Sequence, residues 1–159
     1  MAAVDSRTTL DYALVGDSQS PVKQLIAVMD AATINPDTAG AGLDANTHKI
    51  LPIPLGHVVT GGTLTGLNIP TATSTYVWGL SDGTTTDPMS GTLATATNLV
   101  GDVFQLTHNV GAATATAPTL GYAAIGGTAM YLYATVAVAT DIVGKWLIVL
   151  DLLDISDRV

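Results

Sequence analysis

The side chains in this sequence that could do chemistry are three histidines, thirteen acidic residues and a few serines, and their spacing decides which chemistry is open to them. His48, His57 and His108 stand far apart and show none of the short spacings that build a zinc site. His108 continues the face of Phe104 and Leu106, which reads as a core or interface position. In a trimer, three copies of His57 or His108 near an axis would make a switch responding near about pH 6. Carboxylates are hard oxygen ligands, so calcium is the one metal to consider. Asp82 and Asp87 bracket one loop, and Asp151, Asp154 and Asp157 crowd the last residues, yet neither set follows the EF-hand order of ligands. Turn formation accounts for the first pair and a solvated chain end for the other three. No catalytic, cofactor or metal residue is assigned.

Two short motifs need a structural context that their surroundings do not supply. Gly40-Ala41-Gly42-Leu43-Asp44-Ala45 has the letters of a dinucleotide fingerprint, which requires a strand before it and a helix after it. Asn35-Pro36-Asp37 precedes it and Asn46-Thr47-His48 follows, so the segment reads as a loop. Gly16-Asp17-Ser18, after the apolar run Tyr12-Ala13-Leu14-Val15, resembles the first block of the GDSL esterases, in which the serine is the nucleophile. A serine hydroxyl needs a base to take its proton and donors to hold the oxyanion. The resemblance implies a histidine three residues after a C-terminal aspartate. None follows Asp151, Asp154 or Asp157, and the last histidine is His108. The chain is therefore read as non-enzymatic.

Trp78, Trp146 and the five tyrosines could form a stacking platform for sugars. Most alternate with Val, Leu and Ile along extended segments, where packing into a core is the simpler role. Tyr76, Trp78 and Leu80 alternate with Thr75, Val77 and Gly79, and Ser81-Asp82-Gly83 ends that strand in a turn. Phe104, Leu106, His108 and Val110 alternate with Gln105, Thr107 and Asn109. Met130, Leu132, Val136 and Val138 share one face, with Tyr131, Tyr133 and Thr135 on the other. Trp146–Leu150 is apolar on both faces, as a central strand would be. Val22–Met29 fits a helix through Val22, Leu25, Ile26 and Met29, with Ser20 as cap and Pro21 at the first position, and equally fits a strand buried on both faces. The surrounding β pattern favours the strand. Prolines in Leu51-Pro52-Ile53-Pro54-Leu55 confine that run to an edge or a connector.

Composition agrees. All thirteen acids are Asp, Lys and Arg together number 5, and Thr supplies 24 residues, Ala 22 and Gly 16. Glu, Lys and Arg would be needed to solvate surface helices, whereas Asp, Thr and Gly favour turns and strands. The expectation is an all-β chain: a β-sandwich or jelly roll of about 6–8 strands, forming one domain over residues 21–159 behind an extended N-terminal arm, residues 1–20. A chain of 159 residues suffices to bury roughly 70% of its unfolded surface. There is no cysteine, and Met1 to Thr9 lacks the apolar stretch of a secretory signal. The uncharged stretch from Val103 to Thr140 alternates and contains Pro118 and Gly126-Gly127, so it reads as strands, not a membrane span. With a net charge of −8 and Arg7, Lys23, Lys49, Lys145 and Arg158 scattered, neither nucleic acid nor an anionic membrane is an expected partner.

A small, acidic, cysteine-free β-domain of this style resembles structural proteins of tailed-bacteriophage virions. The likeness is carried by Tyr76-Val77-Trp78-Gly79-Leu80-Ser81-Asp82-Gly83 and by Lys145-Trp146-Leu147-Ile148-Val149-Leu150-Asp151-Leu152-Leu153-Asp154. It is greatest for capsid decoration, or cement, proteins, with tail and fibre components or a glycan-binding adhesin domain as the alternative. The resemblance implies a homo-oligomer, with a trimer favoured, on the outer surface of a capsid, where it clamps subunits of the major capsid protein. Residues 1–20 would then tie one subunit to the next by strand addition.

Overall fold

The computed structural model describes residues 4–5, 12–16, 20–30, 47–68, 75–82, 86–94, 100–107, 130–137 and 145–155. Among them are eleven strands and no helix: β1 (Val4–Asp5), β2 (Tyr12–Val15), β3 (Val22–Asp30), β4 (Thr47–Ile53), β5 (His57–Asn68), β6 (Thr75–Ser81), β7 (Thr86–Pro88), β8 (Leu93–Ala94), β9 (Val103–Leu106), β10 (Met130–Ala137) and β11 (Lys145–Asp154). The strands form two sheets. One has the order β1-β4-β10-β6-β7, with β8 also on β6, and the other β2-β3-β11-β5-β9. Every pairing is antiparallel except that of β1 with β4.

The pairings nest. β6 pairs with β7, β5 with β9, β4 with β10, and β3 with β11. That is one long hairpin folded about the β6–β7 connection. Rolling its arms brings β11 beside β5 and β10 beside β6, which closes the two sheets. The result is the jelly-roll order, so the all-β sandwich expected from composition and alternation is the observed fold. The strand number exceeds 6–8 because β1, β2, β7 and β8 run for only two to four residues, too short for alternation to register.

The inner faces carry what the alternation predicted. Tyr76, Trp78 and Leu80 of β6, Met130 and Leu132 of β10, and Trp146, Ile148, Leu150 and Leu152 of β11 are all buried in one core. Trp146 meets Trp78 edge-on at 6.1 Å and Tyr76 at 5.5 Å, so these rings cross from one sheet to the other. Val22–Met29 is strand, as favoured, and is buried on one face, not two. Lys23, Leu25, Ala27 and Met29 point inward while Val22, Gln24 and Val28 are exposed. β11 is the middle strand of its sheet, as expected. Pro52 pairs with Tyr131 on one side, and on the other β1 reaches only His48 and Lys49, so among the described residues no strand asks the proline for a donor.

Irregularities in the ladder also have local causes. Opposite Leu132 and Tyr133 the register skips Ile50, a bulge that lets both Ile50 and Leu51 turn into the core. Between β7 and β8 the edge chain leaves β6, and Ser90 fills the gap. Its Oγ accepts the Trp78 N–H at 2.9 Å and donates to the Gly91 carbonyl at 2.8 Å. The Thr107 N–H donates to the Met89 carbonyl at 2.9 Å, which ties this edge of one sheet to the end of β9 in the other. The lead-in is engaged where it is described, with β1 edging one sheet and β2 the other.

Candidate interaction surface

Among the described residues, those that could do chemistry form no cluster of three or more. Asp17, Ser18, Gly40–Ala45, His108 and Asp157 lie outside the described residues. Gly16 is described, and its role is steric. Its φ is +153°, and a Cβ there would sit 2.8 Å from the Lys23 side chain and 3.0 Å from the Val22 carbonyl, so the chain leaving β2 passes too close to β3 for any other residue. His48 is fully buried on β4. Asp82 follows β6, whereas Asp87 is buried in β7. Among the described residues no three His or Asp side chains gather as metal ligands.

One His–carboxylate pair forms at the end of the sandwich, where β5 starts and β11 finishes. His57 Nδ1 lies 3.1 Å from the Leu55 carbonyl, a contact that places the proton on Nδ1. Nε2 faces Asp154 Oδ2 at 3.8 Å. A general base needs a free nitrogen beside the group it deprotonates. Here one nitrogen is held by a carbonyl and the other looks at a carboxylate, so the pair joins the two strands. Nearby, the Asp154 N–H donates to the Pro21 carbonyl at 2.6 Å and the Ile155 N–H to the Gly56 carbonyl at 2.7 Å.

The large aromatics are spent in the core. Tyr76, Trp78 and Trp146 are fully buried and unavailable to stack on a sugar. Burial pushes the Tyr76 phenol well above its ordinary range, an effect partly offset by the indole of Trp146 beside it. On the outside of the six-stranded sheet, the Tyr133 ring lies over Gly79, where a Cβ would meet it at 2.8 Å. The Lys49 Nζ sits 4.8 Å from the centre of the Tyr131 ring.

The feature that stands apart is the outer face of the five-stranded sheet. The register lays its side chains out in rows across the strands. At one end Val22, Leu153 and Val58 stand side by side. The next row holds Val15, Gln24 and Asp151, where Gln24 Nε2 donates to Asp151 Oδ1 at 3.0 Å. Then come Ala13, Ile26, Val149, Thr63 and Gln105, followed by Val28, Leu147, Thr65 and Val103. The last row is Asp30, Lys145 and Asn68, with Lys145 Nζ 3.4 Å from Asp30 Oδ2.

An antiparallel sheet that faces water on one side ordinarily alternates apolar-in with polar-out. This one keeps Val, Ile and Leu on its outside, with Val22 62%, Val103 56% and Val28 48% exposed. From strand spacing and rise the face measures about 24 Å by about 27 Å, roughly 650 Å². Apolar side chains make up most of three of its five rows, the Gln24–Asp151 row lying between them, and an exposed apolar patch of this kind marks an interaction site. Reading the sequence missed it, although the signal was present: Val22–Asp30 and Lys145–Leu153 are apolar at both parities. That pattern was credited to burial on both faces, yet the outer residues of β3 are largely open.

No protein-family model, curated protein or solved structure matches this chain. Fold and surface together define its class: a jelly-roll sandwich with an acidic composition and an apolar outer face on one sheet.

Proposed function

We propose that this chain is a non-enzymatic structural protein of a virion, a decoration or cement protein that binds the outer capsid surface and stabilises it. The observation that carries the reading is the apolar outer face of β2-β3-β11-β5-β9, a surface suited to being covered. Three further points support it. Jelly rolls recur in viral capsid proteins as well as lectins and cupins, though fold alone fixes no function. A net charge of −8 with few cations would keep the protein from packaged nucleic acid. His57 is buried with Nδ1 held by the Leu55 carbonyl and Nε2 turned to Asp154, a position that joins two strands and is not open to a substrate. The partner in this reading is the major capsid protein, together with further copies of the chain. A tail or adhesin domain that binds glycans has less support, because Trp78 and Trp146 are inside.

The test is quantitative mass spectrometry of gradient-purified particles made by the genome that encodes this chain. The reading predicts copies in fixed proportion to the coat subunit, and earlier rupture on heating when the gene is deleted. Particles without the chain, or with traces out of proportion to coat, would overturn it.

A further inference from the structure

We propose that the outer face of the five-stranded sheet is a two-fold interface with a second copy of this chain, the axis running across the strands between the row of Val149 and the row of Leu147. The inference deepens the structural reading above by naming the occupant of that face. Its basis is the register. Rotation about that axis leaves each strand facing its own counterpart and exchanges the rows. Leu147 of one copy then meets Val149 of the other, and Val28 meets Ile26. The next rows out exchange as well, so Lys145 meets Asp151 and Asp30 meets Gln24.

On β3 and β11 each of these positions is matched by a suitable counterpart, while at the β9 edge Gln105 meets Val103. Apolar side chains cover apolar ones on the two central strands, the Lys145 ammonium meets a carboxylate, and the carboxylate of Asp30 meets an amide donor. An isologous interface requires this kind of self-complementarity. Moving the axis half a row either way, onto the row of Val149 or of Leu147, removes it. Lys145 would then face Val149 or Leu153, and a charge would be buried against an aliphatic side chain. A three-fold ring, which the sequence resemblance implied, joins two different patches and so would not draw on the self-complementarity of this face.

The overlapping area is about 500 Å² per copy, close to 1,000 Å² in total, at the lower end for a specific interface. Interfaces at that end of the range include weak, transient complexes, and area alone sets no affinity.

Sedimentation equilibrium on the full chain from about 1 µM to about 1 mM covers weak association. A monomer–dimer equilibrium is the expected result. Lys145→Asp and Asp151→Lys each set like charges opposite each other twice per dimer and should weaken it about tenfold. The double variant K145D/D151K should restore it. Within one chain the two residues are about 20 Å apart along β11, so rescue cannot come from an internal pair. Circular dichroism confirms that each variant folds, and Val28→Lys, at an exposed site, should abolish the dimer without unfolding the chain. A monomer throughout, a trimer, singles without effect, a double variant without rescue, or a dimer indifferent to Val28→Lys would each overturn the interface. A monomer that still occurs in purified particles would overturn this inference alone. A dimer absent from particles would overturn only the virion reading.

Discussion

Tyr76 takes a hydroxyl into a core shared with two indoles, and its phenol is kept neutral there by desolvation. The folded-state pKa lies above the ordinary value of 10.0. The unfolded chain therefore loses this proton first as pH rises, and the contribution of Tyr76 is complete below about pH 10 and declines above it. Chemical denaturation across the alkaline range should show stability falling from about pH 10 upward, and Tyr76→Phe should flatten that limb. An unchanged slope in the variant would place the loss elsewhere. Ser90 does a different job, since it receives the Trp78 N–H where the ladder between β6 and β7 breaks. Ser90→Ala leaves a buried amide unsatisfied and should cost about 1–3 kcal/mol in urea unfolding. A loss near zero would mean that water reaches the amide. Reading residue types located the core aromatics correctly, because alternation with Thr and Val fixes which face they share. It had no access to the role of Ser90, which depends on a bulge, or to that of Gly16, which depends on how closely β3 passes.

At the scale of elements, strands with clean alternation or a continuous apolar run were legible, whereas the twelve-residue β5, interrupted by Gly61-Gly62, and the shortest strands were not. β6, β9, β10 and β11 announce themselves by alternation or by a continuous apolar run. β3 was ambiguous because Val22, Leu25, Ile26 and Met29 fit both periods, and only pairing with β11 over nine residues settles it. β2 was folded into a polar lead-in, although Tyr12-Ala13-Leu14-Val15 pairs in full with Val15 opposite Gln24 and Tyr12 opposite Ala27. That pairing makes a prediction about truncation. A chain starting at Pro21 keeps the nested hairpins and should fold, but it uncovers the edge of β3. It should melt at a lower temperature and scatter more light at high concentration, as open edges do. A truncated chain with the melting point and solubility of the full chain would show that β2 contributes nothing.

For the whole molecule, the nested pairing explains why sequence yields fold class more readily than surface. Alternation says which side of a strand is apolar, and two sheets of such strands can only bury those sides against each other. It does not say that a second side, also apolar, remains open. On β3 and β11 both sides are apolar, one against Trp146 and its neighbours and the other against solvent. Val22, Val28 and Val103 stand exposed on one surface, which, in the proposed function, is a contact with other subunits. The measurement that reaches this claim most directly is a cryo-electron microscopy map of purified particles made by the genome that encodes the chain. The account predicts sandwich density on the outer surface of the shell, with β2-β3-β11-β5-β9 turned into a protein contact. A shell without such density, or a bound sandwich with that sheet facing solvent, would contradict it.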